Sequence, residues 1–291
     1  MRSGNVASRT AVLVCQARAV ADGRLAPGRF DDPVAARLLN DDERVAVEEA
    51  RSDTPPDGAR SRMQWEMLRA TAEVMVPRTI AIDDAVRERA NPQVVILGAG
   101  LDGRAWRMPE LTNVLEVDHP ASQQDKRERA AALTPLAASL RFVPVDFGRD
   151  GLAAELTAAG HDPAVATTWI WEGVVSYLAR ADVISTMAVI TARSAPGSRV
   201  VINYQAPSLK ASVGRWVVGA LTTITRQHNP LAGEPTRSTW SPDDMAAELS
   251  THGFPVTSDH DLLTLAGDTD MTVLQRSSLQ NGRVVVADYN Q

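Results

Sequence analysis

The sequence predicts a doubly wound α/β sheet, and three features carry that prediction. From Gln93 onward, short apolar runs alternate with stretches that place apolar residues at helical spacing. The first run, Gln93–Leu97 (QVVIL), ends directly in glycine, as a buried parallel strand does where it turns toward a ligand. The chain also closes on two β-prone segments about Asn281-Gly282, a hairpin signature that adds an antiparallel edge. Composition agrees. A chain of 291 residues, 44% hydrophobic and 23% charged, buries enough surface to fold without disulfides or structural metal, and the single cysteine, Cys15, supplies neither.

Residues 1–90 read as a helical extension that forms a lid over the sheet domain of residues 91–291, the two integrated into one unit. Val12, Ala19 and Val20 suggest a first helix, and Pro33–Leu39, capped by Asp31-Asp32, a second. Met63, Met67, Leu68, Thr71, Val74 and Met75 make one apolar stripe of a third, with the methionines and Trp65 expected in the core. Asp53–Gly58, with Pro55-Pro56, reads as a surface loop. Beyond QVVIL, strands are expected at Asn113–Asp118, Leu140–Val145, Thr168–Trp171 and Arg199–Asn203. Val183, Ile184, Met187, Ala188 and Thr191 form a helical stripe closed by Pro196-Gly197, and Ser241-Pro242-Asp243-Asp244 opens a later helix with a serine N-cap. The last hairpin pairs Met271–Leu274 with Arg283–Ala287.

In such sheets, ligands bind beyond the carboxyl ends of the central strands. The first end reads Gly98-Ala99-Gly100-Leu101-Asp102-Gly103, a literal GxGxxG whose glycines let backbone approach a ligand. The second ends in Asp118, a carboxylate able to accept both hydroxyls of an adenosine ribose. These two features serve NAD and S-adenosylmethionine alike. The third end, Val145-Asp146-Phe147, offers an acid for an exocyclic amine beside an aromatic wall. The fourth, Trp171-Glu172-Gly173-Val174, adds a central carboxylate. Buried, it needs a partner, and the ammonium of a methionine-tailed cofactor would provide one where a nicotinamide has none.

GAGLDGRAW followed by LEVDHP, VDF and WEGVVSYL resembles the leucine carboxyl methyltransferase-like branch of the class I S-adenosylmethionine-dependent methyltransferases. The likeness extends from RTAVLVCQARA through PRTIAIDDAV to the late HGF segment. It implies a Rossmann-like seven-stranded sheet with a reversed last strand. It also implies roles: Arg78 for the cofactor carboxylate, Gly98-Ala99-Gly100 along the methionine portion, Asp118 on the ribose with His119 beside the adenosine, Asp146 and Phe147 at the adenine, and Glu172 at the amino-acid end. Gly103 departs from the pattern, because similar sequences usually carry serine or threonine there, and a lost hydroxyl contact would alter cofactor affinity.

The implied reaction is methyl transfer from S-adenosylmethionine to a hydroxyl or carboxylate oxygen of a polyketide-, sugar- or carboxylic-acid-type small molecule. A carboxylate arrives ionised, whereas a hydroxyl needs a base. His228, between the fifth strand and the SPDD helix, is the candidate base, and Tyr177 the candidate acceptor contact, with Tyr204 as a second. His161, His252 and His260 read as solvated or structural. The acidic pairs Asp31-Asp32, Asp83-Asp84 and Asp243-Asp244 fit helix starts, so no metal is expected. A net charge of −6 argues against nucleic-acid and anionic-membrane partners, and no apolar run is long enough to span a bilayer. A cytoplasmic protein is expected, with a homodimer left open. The alternatives are a nicotinamide oxidoreductase, resting on GxGxxG and Asp118, and a non-catalytic S-adenosylmethionine-binding protein.

Overall fold

The computed structural model describes residues 8–146, 151–207, 237–267, 276 and 279–290. Its strands are β1 (Gln93–Leu97), β2 (Asn113–Asp118), β3 (Ser139–Pro144), β4 (Thr167–Trp171), β5 (Arg199–Gln205), β6 (Val256–Asp261) and β7 (Gly282–Asp288). They form one sheet in the order β3-β2-β1-β4-β5-β7-β6. β1 to β5 run parallel and β7 is reversed between β5 and β6. The order turns back between β1 and β4, which sets the ligand crevice at their carboxyl ends.

Successive residues along each strand point to opposite faces, so the apolar runs feed two cores at once. Val94, Ile96, Val114, Ile170 and Val201 pack under helices α1 (Arg9–Ala21) and α3 (Ala59–Arg89). Val95, Leu97, Leu115, Trp169, Trp171 and Ile202 pack on the other face against α6 (Leu152–Ala158), α7 (Arg180–Ala192) and α8 (Pro242–Thr251). Between these come α2 (Asp41–Arg51), the short α4 (Arg104–Arg107) and α5 (Pro120–Arg129), with α9 (Leu262–Ala266) after β6. The N-terminal helices are thus one of the two helical layers, sharing a core with the sheet. No helix among the described residues is long and apolar enough to cross a membrane.

Several local expectations need correction. β7 pairs with β5 on one edge (Ile202 with Val285) and with β6 on the other (Asp259 with Val285). Both edges are therefore filled, while the expected partner Met271–Leu274 lies outside the described residues. Gly282 opens the strand instead of turning a hairpin. β6 (VTSDHD) has no apolar alternation to reveal it, because an outermost strand needs little burial and is protected by charge. The segment expected as a helix at Pro33–Leu39 is a 3-10 turn at Ala35–Leu38, with Asp32 Oδ1 accepting from Ala35 N. α2 was not anticipated. Its sequence is largely polar, and Glu43 closes its start by accepting from the Asn40 N–H at 2.9 Å.

The early turns of α3 face solvent. Met63 is 60% exposed, and Trp65 is half-buried, donating from Nε1 to the Ser52 carbonyl (3.2 Å) under the Arg69 guanidinium. Met63 thus stands outside the core expected of it, whereas Trp65 packs against that core at its edge. The helix then runs through Pro77 to Arg89, so Asp83 sits buried in its interior and not at a helix start. His161 is buried and Tyr204 is core, its hydroxyl 2.5 Å from Asp259 Oδ2, which removes it from acceptor binding.

Candidate cofactor site

A cavity of about 290 Å³ opens at the carboxyl ends of β1, β2 and β4. The loop after β1 supplies Gly98 to Asp102, the end of β2 supplies Asp118 and His119, and the segment after β4 supplies Glu172, Gly173, Val174 and Tyr177. α3 contributes Arg78, and α1 contributes Ser8-side residues through Arg18. Glycine is required twice. At Gly98 (φ +68°) an added Cβ would lie 2.3 Å from Val174 Cγ2, and at Gly100 (φ +46°) one would lie 3.1 Å from the Ala11 Cβ. The bare backbone of the loop therefore forms a floor on which α1 and Val174 close tightly.

Asp118 is half-buried at the tip of β2. One of its oxygens accepts from Gly100 N and the other from His119 N, both at 2.6 Å. Each oxygen keeps a second lone pair, so the carboxylate still has acceptor capacity toward the cavity. His119 is exposed and caps α5, its Nδ1 accepting from Ala121 N at 3.2 Å.

Below the loop lies a buried array of four arginines and four carboxylates. Arg78 Nε donates to Glu172 Oε1 and Arg104 Nη1 to Glu172 Oε2, both at 2.8 Å. Arg104 Nε donates to Asp83 Oδ1 at 2.7 Å, and Arg104 also grips Asp102. Arg107 reaches Asp83 at 2.6 Å, and Arg18 pairs with Asp32 at 3.0 Å while holding the Leu101 carbonyl of the glycine loop. No side chain of the eight is more than 8% exposed. Burial pushes the Glu172 carboxyl up, but Arg78 and Arg104 outweigh it and hold it at about 2. Asp102 is held low in the same way, by Arg104 and Arg18 against burial. Glu172 thus has its partners within the protein, whereas the sequence had pointed to a ligand ammonium.

The structure brings together Arg78, Gly98, Ala99, Gly100, Asp118, His119, Glu172 and Tyr177 around one cavity. Asp146 follows β3, half-buried, and is not among the residues lining the cavity. Phe147 and His228 lie outside the described residues. Gly103 faces away from the cavity: a Cβ there would meet Asp32 Oδ1 at 3.1 Å, so a hydroxyl at this position points to a buried carboxylate and not to a cofactor. Sequence reading missed Arg18, Arg104 and Arg107, and it gave Asp32 and Asp83 only helix-start roles. Only the density of charges within apolar segments such as PRTIAIDD and DGRAWR could have drawn attention to them.

Arg78 provides a test of whether the cavity suits a cofactor with an amino-acid tail. Its Nε is taken by Glu172, and its two terminal nitrogens make no hydrogen bond among the described residues, although the side chain is 8% exposed and lines the cavity. An unfilled guanidinium fork in a glycine-floored cavity matches a carboxylate. The leucine carboxyl methyltransferase family matches residues 11–191, more than half of the chain. The protein belongs to that family. This family member is 36% identical over 208 residues to a candidate S-adenosyl-L-methionine-dependent methyltransferase of Mycobacterium sp. (strain JLS), covering 70% of this chain and 68% of the relative. It is 33% identical over 251 residues to another candidate of Streptomyces coelicolor, covering 84% and 82%. Among solved structures, a candidate methyltransferase of Thermobifida fusca shares its fold with a TM-score of 0.51 at 16% identity, over 96% of this chain and 94% of that one. A candidate exported protein of Bordetella parapertussis does so with 0.52 at 15% identity, over 98% of each chain. The seven-stranded sheet with its reversed β7 is the class I methyltransferase fold.

Proposed function

We propose that this S-adenosylmethionine-dependent methyltransferase delivers its methyl group to an oxygen of a small molecule, with a carboxylate as the preferred acceptor. The observation that carries this reading is the chemistry of the walls. Ser8 and the first half of α1 (Thr10, Ala11 and Val14) line the cavity, and the segment after β4 lines it with Gly173, Val174 and Tyr177. All of these are uncharged, and His119, the imidazole among the described residues that line the cavity, is exposed and engaged through Nδ1 in capping α5. An acceptor that is already ionised suits such walls.

Bound S-adenosylmethionine supplies a sulfonium-activated methyl group. The protein's own work is then to hold and align. Arg78 would receive the amino-acid carboxylate, Gly98 to Gly100 would let the backbone run against the methionine portion, and Asp118 would accept the ribose hydroxyls. Ala11, Val14 and Val174 would exclude water from the reacting pair, and Tyr177 would orient the acceptor oxygen. A net charge of −6 supports a small acceptor over nucleic acid. The nicotinamide oxidoreductase reading falls with family membership.

The test uses a labelled methyl donor and a panel of small carboxylic acids, phenols and sugars. Label released by mild alkali marks a methyl ester and is the expected result. Alkali-stable label on oxygen would shift the acceptor to a hydroxyl and direct the search for a base to His228. Label on nitrogen or carbon would overturn the reading.

A further inference from the structure

We propose that Arg104 is a positioning residue for cofactor binding, fixing Glu172 so that Arg78 keeps its terminal nitrogens free for the cofactor's carboxylate. The inference rests on the carboxylate role proposed for Arg78. Arg104 is 1% exposed and does not line the cavity, so it acts only through others. It sits where three elements meet: its Nε donates to Asp83 of α3 (2.7 Å), and its Nη1 donates to Glu172 after β4 (2.8 Å) and grips Asp102 of the glycine loop.

Glu172 is held from two sides, by Arg78 Nε on Oε1 and by Arg104 Nη1 on Oε2. That division matters. Carboxylates and guanidinium groups favour bidentate pairing, two parallel N–H···O bonds per pair. With Oε2 turned toward Arg104, Glu172 is oriented to meet Arg78 through Nε alone. Without Arg104, the freed oxygen would turn onto Arg78 and close the fork that the cofactor needs. Glu172 would then compete with the ligand carboxylate instead of presenting its receptor. Asp83 lies five residues beyond Arg78 on the same helix, so the Arg104–Asp83 bond also holds α3 in register against the end of β4.

The experiment compares binding of S-adenosylhomocysteine with binding of 5′-methylthioadenosine, which lacks the amino-acid tail, to the full chain. Arg104→Gln is expected to lose affinity for S-adenosylhomocysteine by about fivefold or more while binding 5′-methylthioadenosine within about twofold of the parent. Arg104→Lys, which keeps the charge but not the fork, is expected to recover part of the loss. A purely structural role would weaken both ligands together, and equal losses overturn the proposal. Should Arg104→Gln fail to fold, Arg104→Lys carries the comparison. If neither folds, Arg104 serves stability alone and the proposal falls. Arg78→Gln is the control. If it leaves the preference for the tailed ligand intact, the carboxylate role of Arg78 has failed. If it abolishes that preference while the Arg104 variants retain it, only the positioning role has failed.

Discussion

The two faces of the sheet are built on different principles. Under α6, α7 and α8 the core is plain apolar packing, with Trp169 and Trp171 among its largest buried side chains. Under α1 and α3 the apolar core gives way, near the glycine loop, to eight buried charges. Replacing buried ion pairs by hydrophobic residues is often neutral or stabilising, so stability is a weak explanation for them. Direction is a better one. A hydrophobic contact tolerates small rotations, whereas a guanidinium between two carboxylates has few acceptable orientations. The charged array borders the cavity, which the apolar face meets through Val174, and this assigns orientation to one and cohesion to the other.

The sharpest way to break that comparison is to damage the apolar face alone. Trp169→Ala removes a fully buried indole and its 2.9 Å hydrogen bond to Ser194 Oγ, and should lower unfolding free energy by about 3–5 kcal/mol. Denaturant unfolding measures this, and S-adenosylhomocysteine affinity of the folded protein should stay unchanged. A matching loss of affinity would mean that the faces are not separable.

On the cavity side the expectation reverses. Asp118→Ala should weaken S-adenosylhomocysteine at least tenfold, because charge-assisted hydrogen bonds of about 1.5–3 kcal/mol each are lost at the ribose. Calorimetric titration checks it, and an unchanged dissociation constant would remove Asp118 from the site.

The smallest effect concerns pH. His161, 3% exposed, lies 5.1 Å from the Trp169 ring, with its Nε2 3.1 Å from Thr167 Oγ1 and the Arg193 guanidinium 3.3 Å from its Nδ1. Burial, and then Arg193, lower its pKa from 6.5 to about 4. The fold therefore favours the neutral ring, and the unfolded chain binds the extra proton between these values. The contribution is complete above pH 6.5, declines as pH falls below that value, and is lost by about pH 4. Unfolding of His161→Gln should show a shallower decline across this window, and an identical decline would assign the acid sensitivity to other groups.

Much of the fold was legible because parallel strands buried on both faces leave continuous apolar runs. QVVIL and NVLEVD were bounded to the residue. β6 left no such trace, since an edge strand answers to solvent, and polar α2 left none either. At the site, the glycine loop and Asp118 were readable because one strand end places each of them. Glu172 is legible as a buried carboxylate in need of a partner, but the arginines that meet it are not. Its two arginines lie 94 and 68 residues away, and no local pattern couples them.

Periodicity and turn chemistry are properties of neighbours along the chain. They alone determined the alternation of strands and helices, the glycine floor and the carboxylate at the tip of β2. The pairing of buried charges is a property of neighbours in space. Only the packing of α1 and α3 onto the sheet decided that Arg104 stands behind Glu172 and that Arg78 meets the cavity with terminal nitrogens unbonded among the described residues, because a desolvated charge takes whichever opposite charge the fold brings within reach.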